Sequence, residues 1–170
     1  MKINEQKTNV MFFNFSNEKQ FTTRLTLNDE PIKVISSTRL LGTIITNDLK
    51  WDENTSSIVR KANARMELLR KVAGFGTSKA ELKTIYILFV RSQLEHSATV
   101  WHSSLTEENK TDLERVQKTA TKIILGERYR NYKQALIDLD LETLDERRQN
   151  LCLRFAIKSS KHEKPHKCFP

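Results

Sequence analysis

The chain is poor in residues that interrupt regular structure, with four glycines and three prolines among its 170 residues. So few breakers exclude collagen-like and Gly/Pro-rich low-complexity chains. Cysteine is scarce as well: Cys152 and Cys168 cannot build a disulfide framework, and their low number suits a reducing compartment. No run of about 18 apolar residues occurs, so no membrane span is expected. No apolar stretch follows the basic start of the chain, so no secretory signal is expected either, and the chain is placed inside the cell, in nucleus or cytoplasm. A glycine-rich phosphate loop is missing, and no order of Ser, His and Asp suggests a hydrolytic triad.

What is present is charge, chiefly positive. Lys and Arg number 29 against 21 acids, a net charge of +8 and a pI near 9.6. This balance favours polyanionic partners such as nucleic acid, although a plain soluble basic domain has it too. From Arg147 to the end, seven bases face Glu163 alone, whereas the first 50 residues hold seven bases and five acids. A mean hydropathy of −0.56 describes a wet surface.

Residues 8–15 are rich in apolar and aromatic types, and residues 21–27 alternate, with Phe21, Thr23, Leu25 and Leu27 on one face. Asn28-Asp29 predicts a turn. Pro31 places the next strand at an edge or just beyond the proline. A fourth apolar run, RLLGTIIT, reads as a strand whose Gly42 marks a bulge or a close backbone approach.

Past Asn47-Asp48 the period changes from two to about 3.6. Val59, Ala62, Met66, Leu69 and Ala73 share one helical face, which Gly74 and Gly76 end. Ser78-x-x-Glu81 predicts a capping box for a second helix striped by Leu82, Tyr86, Phe89 with Val90, Leu94, Ala98 and Trp101. A third helix begins near Thr106 and carries Leu113, Val116, Ala120, Ile123 and Ile124 before Gly126. Asn131-x-x-Gln134 caps a short fourth, and Thr143-x-x-Glu146 a last one with Leu144, Leu151, Phe155 and Cys152 on its buried side.

The expected class is α+β: a small N-terminal antiparallel β meander or hairpin, then an α-helical bundle of four to five helices. Expected domains are a β subdomain over 1–50, a helical domain over 51–160, and a basic flexible tail over 161–170.

The layout resembles the C-terminal part of the reverse transcriptases of non-LTR retrotransposons, the jockey-like LINE elements. The residues that carry the resemblance are Asn4-x-x-Lys7-Thr8-x-x-Met11-x-Phe13, Leu41-Gly42, Trp51, Tyr86 with Val90, and Val100-Trp101. Leu113-Glu114-Arg115-Val116-Gln117-Lys118 and Leu144-x-x-Arg147-Arg148 complete the set. Their order is similar to distal palm, primer grip and thumb, and covers about residues 4 to 160. The chain departs from the family at Asn54, where His is frequent, at His96, where Tyr is frequent, and at Lys122, where Arg is frequent.

In that family, RNA-directed DNA polymerases, an aromatic-x-Asp-Asp hairpin helps hold two metal ions that clamp the attacking and leaving oxygens. No such step occurs in this sequence. The resemblance therefore implies that the catalytic aspartates and their Mg2+ belong to a segment upstream, and that this chain alone has no catalytic residues, no cofactor and no polymerase activity. Asp138-x-Asp140 lacks the aromatic, and His162, His166 and Cys168 lack a close second Cys, so no metal site is expected.

Candidate contacts to an RNA/DNA duplex are Lys7, Gly42, Arg60, Lys61, Arg65, Lys71, Arg147 and Arg148. By the resemblance Lys7 stabilises phosphate charge near the catalytic loop; by itself it reads as a surface lysine at a strand start. Gly42 permits backbone approach to a primer or is a simple bulge. The bases of the first helix, Arg60, Lys61, Arg65, Arg70 and Lys71, suit sequence-independent phosphate contacts or a solvated face. Arg147 and Arg148 sit in a first helical turn, where the helix dipole favours acids, so they meet an external anion or pair with Asp145 and Glu146. The alternative to a duplex-holding fragment is a non-enzymatic helical interaction module or a retroelement remnant that self-associates through a strand edge or an apolar face.

Overall fold

The computed structural model describes residues 4, 8–14, 25–28 and 30–161. Phe21, Thr23, Asp29, Lys7 and the tail from His162 onward lie outside the described residues. The chain is α+β, with short strand pairs followed by about five helices. It divides into two compact units, Met1–Asn54 and Thr55–Pro170.

Among the described residues the first unit holds three two-stranded ladders. Strand β1, Asn9–Val10, pairs in parallel with β4, Lys33–Val34, a departure from the antiparallel expectation. Strands β2, Thr26–Leu27, and β3, Glu30–Pro31, pair antiparallel around Asn28, whose φ of 51° is one that Asn tolerates in turns. Pro31 is accommodated because a two-stranded ladder is all edge.

The run RLLGTIIT is not one strand. It folds back on itself as β5, Ser37–Leu40, and β6, Thr43–Thr46, with Leu40 opposite Thr43. Leu41 and Gly42 form the two-residue turn, with φ of 47° and 90°. Positive φ at both central positions matches the right-handed twist of the flanking strands, and Gly supplies it without a Cβ clash. At the end of β6 the Thr46 hydroxyl and the Lys50 amide both reach Asp48 Oδ1, at 2.7 and 3.0 Å. These bonds, the hydroxyl first, hold the Asp48 carboxyl below its usual range. Asn54 is 2% exposed and its Oδ1 accepts the Ile44 amide at 3.1 Å, so the polar residue standing where the resembled family favours His has a fixed partner.

The second unit is helical. In helix α1, Asp52–Gly74, Ile58, Ala62, Met66 and Leu69 are buried while Val59 and Ala73, placed on the same face by the periodicity, are only half-buried. Helix α2, Lys79–Ile85, begins at the predicted box: the Glu81 amide donates to Ser78 Oγ and the Ser78 amide donates to Glu81 Oε2.

Beyond α2 the chain does not continue as one regular helix. Tyr86–Arg91 is π-helical, α3 is Ser92–Leu94, and Ser97 at φ 54° breaks the chain before α4, Ala98–Trp101. The physical cause is the spacing of the apolar side chains. Leu82, Tyr86, Val90, Leu94 and Ala98 are all buried and recur every four residues. In an α-helix a step of four drifts by about 40°, so the row would spiral off its neighbour; wider π turns keep it in line. Phe89, assigned to the stripe by a 3.6 period, is turned out to solvent at 48% exposure.

Helix α5, Glu107–Leu125, is capped by Thr106, whose Oγ1 accepts the Asn109 amide at 3.2 Å. It packs against α2, and against α6, Tyr132–Asp138, and α7, Leu144–Ser160. Gly126 ends it at φ 56° and ψ −129°, a conformation that a Cβ would strain. Asn131 and Thr143 cap α6 and α7 as expected, the latter with a full capping box. Leu113, Leu144, Met66, Leu69, Leu94 and Trp101 are wholly buried, and each such Leu or Met contributes about 1.5–3 kcal/mol. Phe155, expected in the core, is 58% exposed.

Candidate nucleic-acid interface

The bases of α1 lie where a phosphate could reach them. Between Arg60 and Lys71 the helix holds five bases and one acid, Glu67, which is taken up by Arg70 one turn on. Arg60, Arg65 and Lys71 are exposed and Lys61 is half-buried. Arg60 and Lys71 are three turns apart on one face, a separation of about 16 Å, while Lys61 and Arg65 lie to the side. Arg65 has an internal duty as well: its Nη1 donates to the Phe89 carbonyl at 2.6 Å, within the π-helical turn. Gly42 is exposed at the tip of its hairpin, and Lys7 lies outside the described residues.

Arg147 and Arg148 both have partners within the helical unit. Arg147 is ion-paired with Glu95, whose carboxylate also receives Arg91 at 3.6 Å. Arg148 is 0% exposed. Its guanidinium lies over the Trp101 ring at 5.9 Å, its Nε donates to His102 Nδ1 at 3.4 Å, and Asp145 stands at 4.0 Å. Both terminal nitrogens lack a hydrogen-bond partner among the described residues. Desolvation and the neighbouring Arg148 charge push the His102 pKa below its ordinary 6.5. The spacing toward Asp145 is as anticipated, but burial removes Arg148 from any duplex contact.

The polar centre of the helical unit was not foreseen. Gln117 is fully buried on α5. Its Oε1 accepts the Tyr86 hydroxyl at 2.6 Å, and its Nε2 donates to Tyr132 Oη and to the Glu142 carbonyl, both at 2.9 Å. Tyr132 in turn donates its hydroxyl hydrogen bond to Glu114, whose second oxygen accepts the Leu144 amide at 2.9 Å, the first of the orphan amides of α7. Burial drives both phenols well above their usual range, so both stay protonated donors. The signal was available: Gln117 stands among Leu113, Val116, Ala120 and Ile124 at a core position, and a buried polar group there demands partners.

The motif residues that carry the family resemblance thus resolve into structural roles. Tyr86, Glu114, Gln117 and Leu144 meet in one network, while Trp101 and Arg148 stack beside it. Arg115 and Lys118 face outward, Arg115 paired with Asp112 at 2.6 Å. Of the two aspartates of Asp138-x-Asp140, the first accepts from Gln134 at 2.8 Å and the second faces Lys83 at 3.7 Å. Among the described residues no helix is long and apolar enough to cross a membrane. Compared with family models, with curated proteins and with solved structures, the chain finds no match.

Proposed function

We propose that this chain is the distal palm, primer-grip and thumb portion of a non-LTR retrotransposon RNA-directed DNA polymerase, holding an RNA/DNA duplex by its backbone without performing the chemistry. The observation that supports this is the α1 face, where Arg60 and Lys71 stand exposed and no acid among the described residues lies within ion-pairing distance of either. A helix of this kind meets phosphates as point charges and reads no base edge, so binding is independent of sequence. Nucleotide addition needs paired carboxylates for Mg2+, which the aromatic-x-Asp-Asp step of the parent enzyme supplies and this sequence does not contain.

Titration of the purified chain with RNA/DNA hybrid at several salt concentrations tests this. The expected slope of log K against log salt is about −0.9 for each phosphate neutralised. Binding that is absent at low salt, or that depends on sequence, overturns it, as does primer extension by the chain alone. A second reading, a helical interaction module or remnant, is favoured by the exposure of Leu41, Leu88 and Phe89. Concentration-dependent association in light scattering, with no hybrid binding, would establish that one instead.

A further inference from the structure

We propose that the C-terminal half of α7 is a docking helix for an acidic amphipathic helix of a partner protein. Residues 153–158 are exposed without interruption, although Leu153, Phe155 and Ile157 among them are 55, 58 and 55% exposed apolar side chains. A helix apolar on more than one side is ordinarily covered. Higher up, the face of Leu144 and Arg148 is covered, and Phe155 continues that row where the cover has ended.

The charges identify the occupant. Arg154, Lys158 and Lys161 fall within about 60° of one another and form a single row, with Leu153 and Ile157 along one side and Phe155 along the other. From Gln149 to Ser160 the helix carries no acid. A second copy of this helix would set like charges against like in either orientation. Phosphates would pair with the bases and leave Leu153 and Ile157 uncovered. A membrane surface takes one continuous apolar face, whereas here the basic row separates two apolar ones. A helix with a row of carboxylates beside leucine-type side chains satisfies both the charge and the apolar surface.

The test uses the full chain and a synthetic peptide helix with a glutamate row flanked by leucines. A scrambled peptide, a lysine-row peptide, phosphatidylserine vesicles and RNA/DNA hybrid are the other arms. Saturable binding of the glutamate-row peptide is expected, weakened about tenfold or more by Leu153→Ser with Ile157→Ser. Arg154→Glu with Lys158→Glu should abolish it and transfer affinity to the lysine-row peptide. All four positions are exposed, so an unchanged thermal midpoint certifies the fold of each variant. Arg60→Ala with Lys71→Ala should leave peptide binding intact, which separates this site from the duplex-holding face. Equal binding of the scrambled peptide, insensitivity to these variants, tighter binding to the vesicles, or dimerisation abolished by the same variants would each overturn the proposal.

Discussion

The units Met1–Asn54 and Thr55–Pro170 differ more in what they bury than in how regular they are. Of the nineteen buried apolar side chains among the described residues, Trp51 alone belongs to the first. The second holds the rest, together with 22 bases against 14 acids, and so the whole net charge of +8; the first has seven of each. A two-stranded ladder leaves half of its backbone groups unpaired and has one face to bury, while helices satisfy their own backbone and can turn a stripe into a shared core. The contrast teaches that the helical unit can tolerate polar groups inside, since it has enough apolar burial around them, and that the strand unit depends on individual polar ties.

The sharpest break of that contrast is Gln117→Ala. It strands the Tyr86 hydroxyl, a Tyr132 contact and the Glu142 carbonyl together, and should cost about 3 kcal/mol or more in denaturant unfolding of the helical unit. Asn54→Ala removes the acceptor of the Ile44 amide and should cost about 1–2 kcal/mol, read as earlier loss of amide-exchange protection in the β5–β6 hairpin. Arg148→Met should be neutral or stabilising by about 1 kcal/mol, because a buried cation with two unpaired nitrogens is exchanged for an apolar chain of similar length. A large destabilisation there would show that the pairing to Asp145 and His102 outweighs desolvation.

The pH dependence is smaller and has a definite sign. The native pKa of His102 is depressed, so its contribution is fully present above about 6.5. Below that the unfolded chain binds a proton that the native one resists, and stability falls until the depressed value is reached; His102→Gln should flatten the fall in thermal melts between pH 7 and 5. Smallest for stability is Arg60→Ala with Lys71→Ala, within about 0.5 kcal/mol. The same pair should reduce the salt slope of hybrid binding by about two phosphates, so it separates surface function from interior construction.

Much of the helical unit was legible from the residues alone. Ser78, Asn131 and Thr143 cap the helices that they were expected to cap, and Thr106 caps the helix expected to begin near it, because a short side-chain oxygen before an apolar-periodic run has one local use. The π-helical turn at Tyr86–Arg91 was not, although its signal, a strict step of four from Leu82 to Ala98, is written in the sequence. RLLGTIIT misled because two strands joined by a two-residue turn read as one apolar run. Of the candidate bases, Arg60, Arg65 and Lys71 of α1 are exposed and Lys61 is half-buried, whereas Arg148 is buried, and its cost of burial is hidden until Trp101 and His102 are brought over it.

The sequence by itself thus determined the class, the starts of the helices that carry a capping signal and the concentration of positive charge from Arg147 on, because caps, periodicity and charge act over a few residues. Only the tertiary structure decided which polar residues are inside. Gln117, Glu114, Tyr132 and Arg148 take their roles from partners 15 to 47 residues away. Whether a side chain is covered depends on where other helices end, and that is why α7 shows Phe155 to solvent after burying Leu144 in the same row.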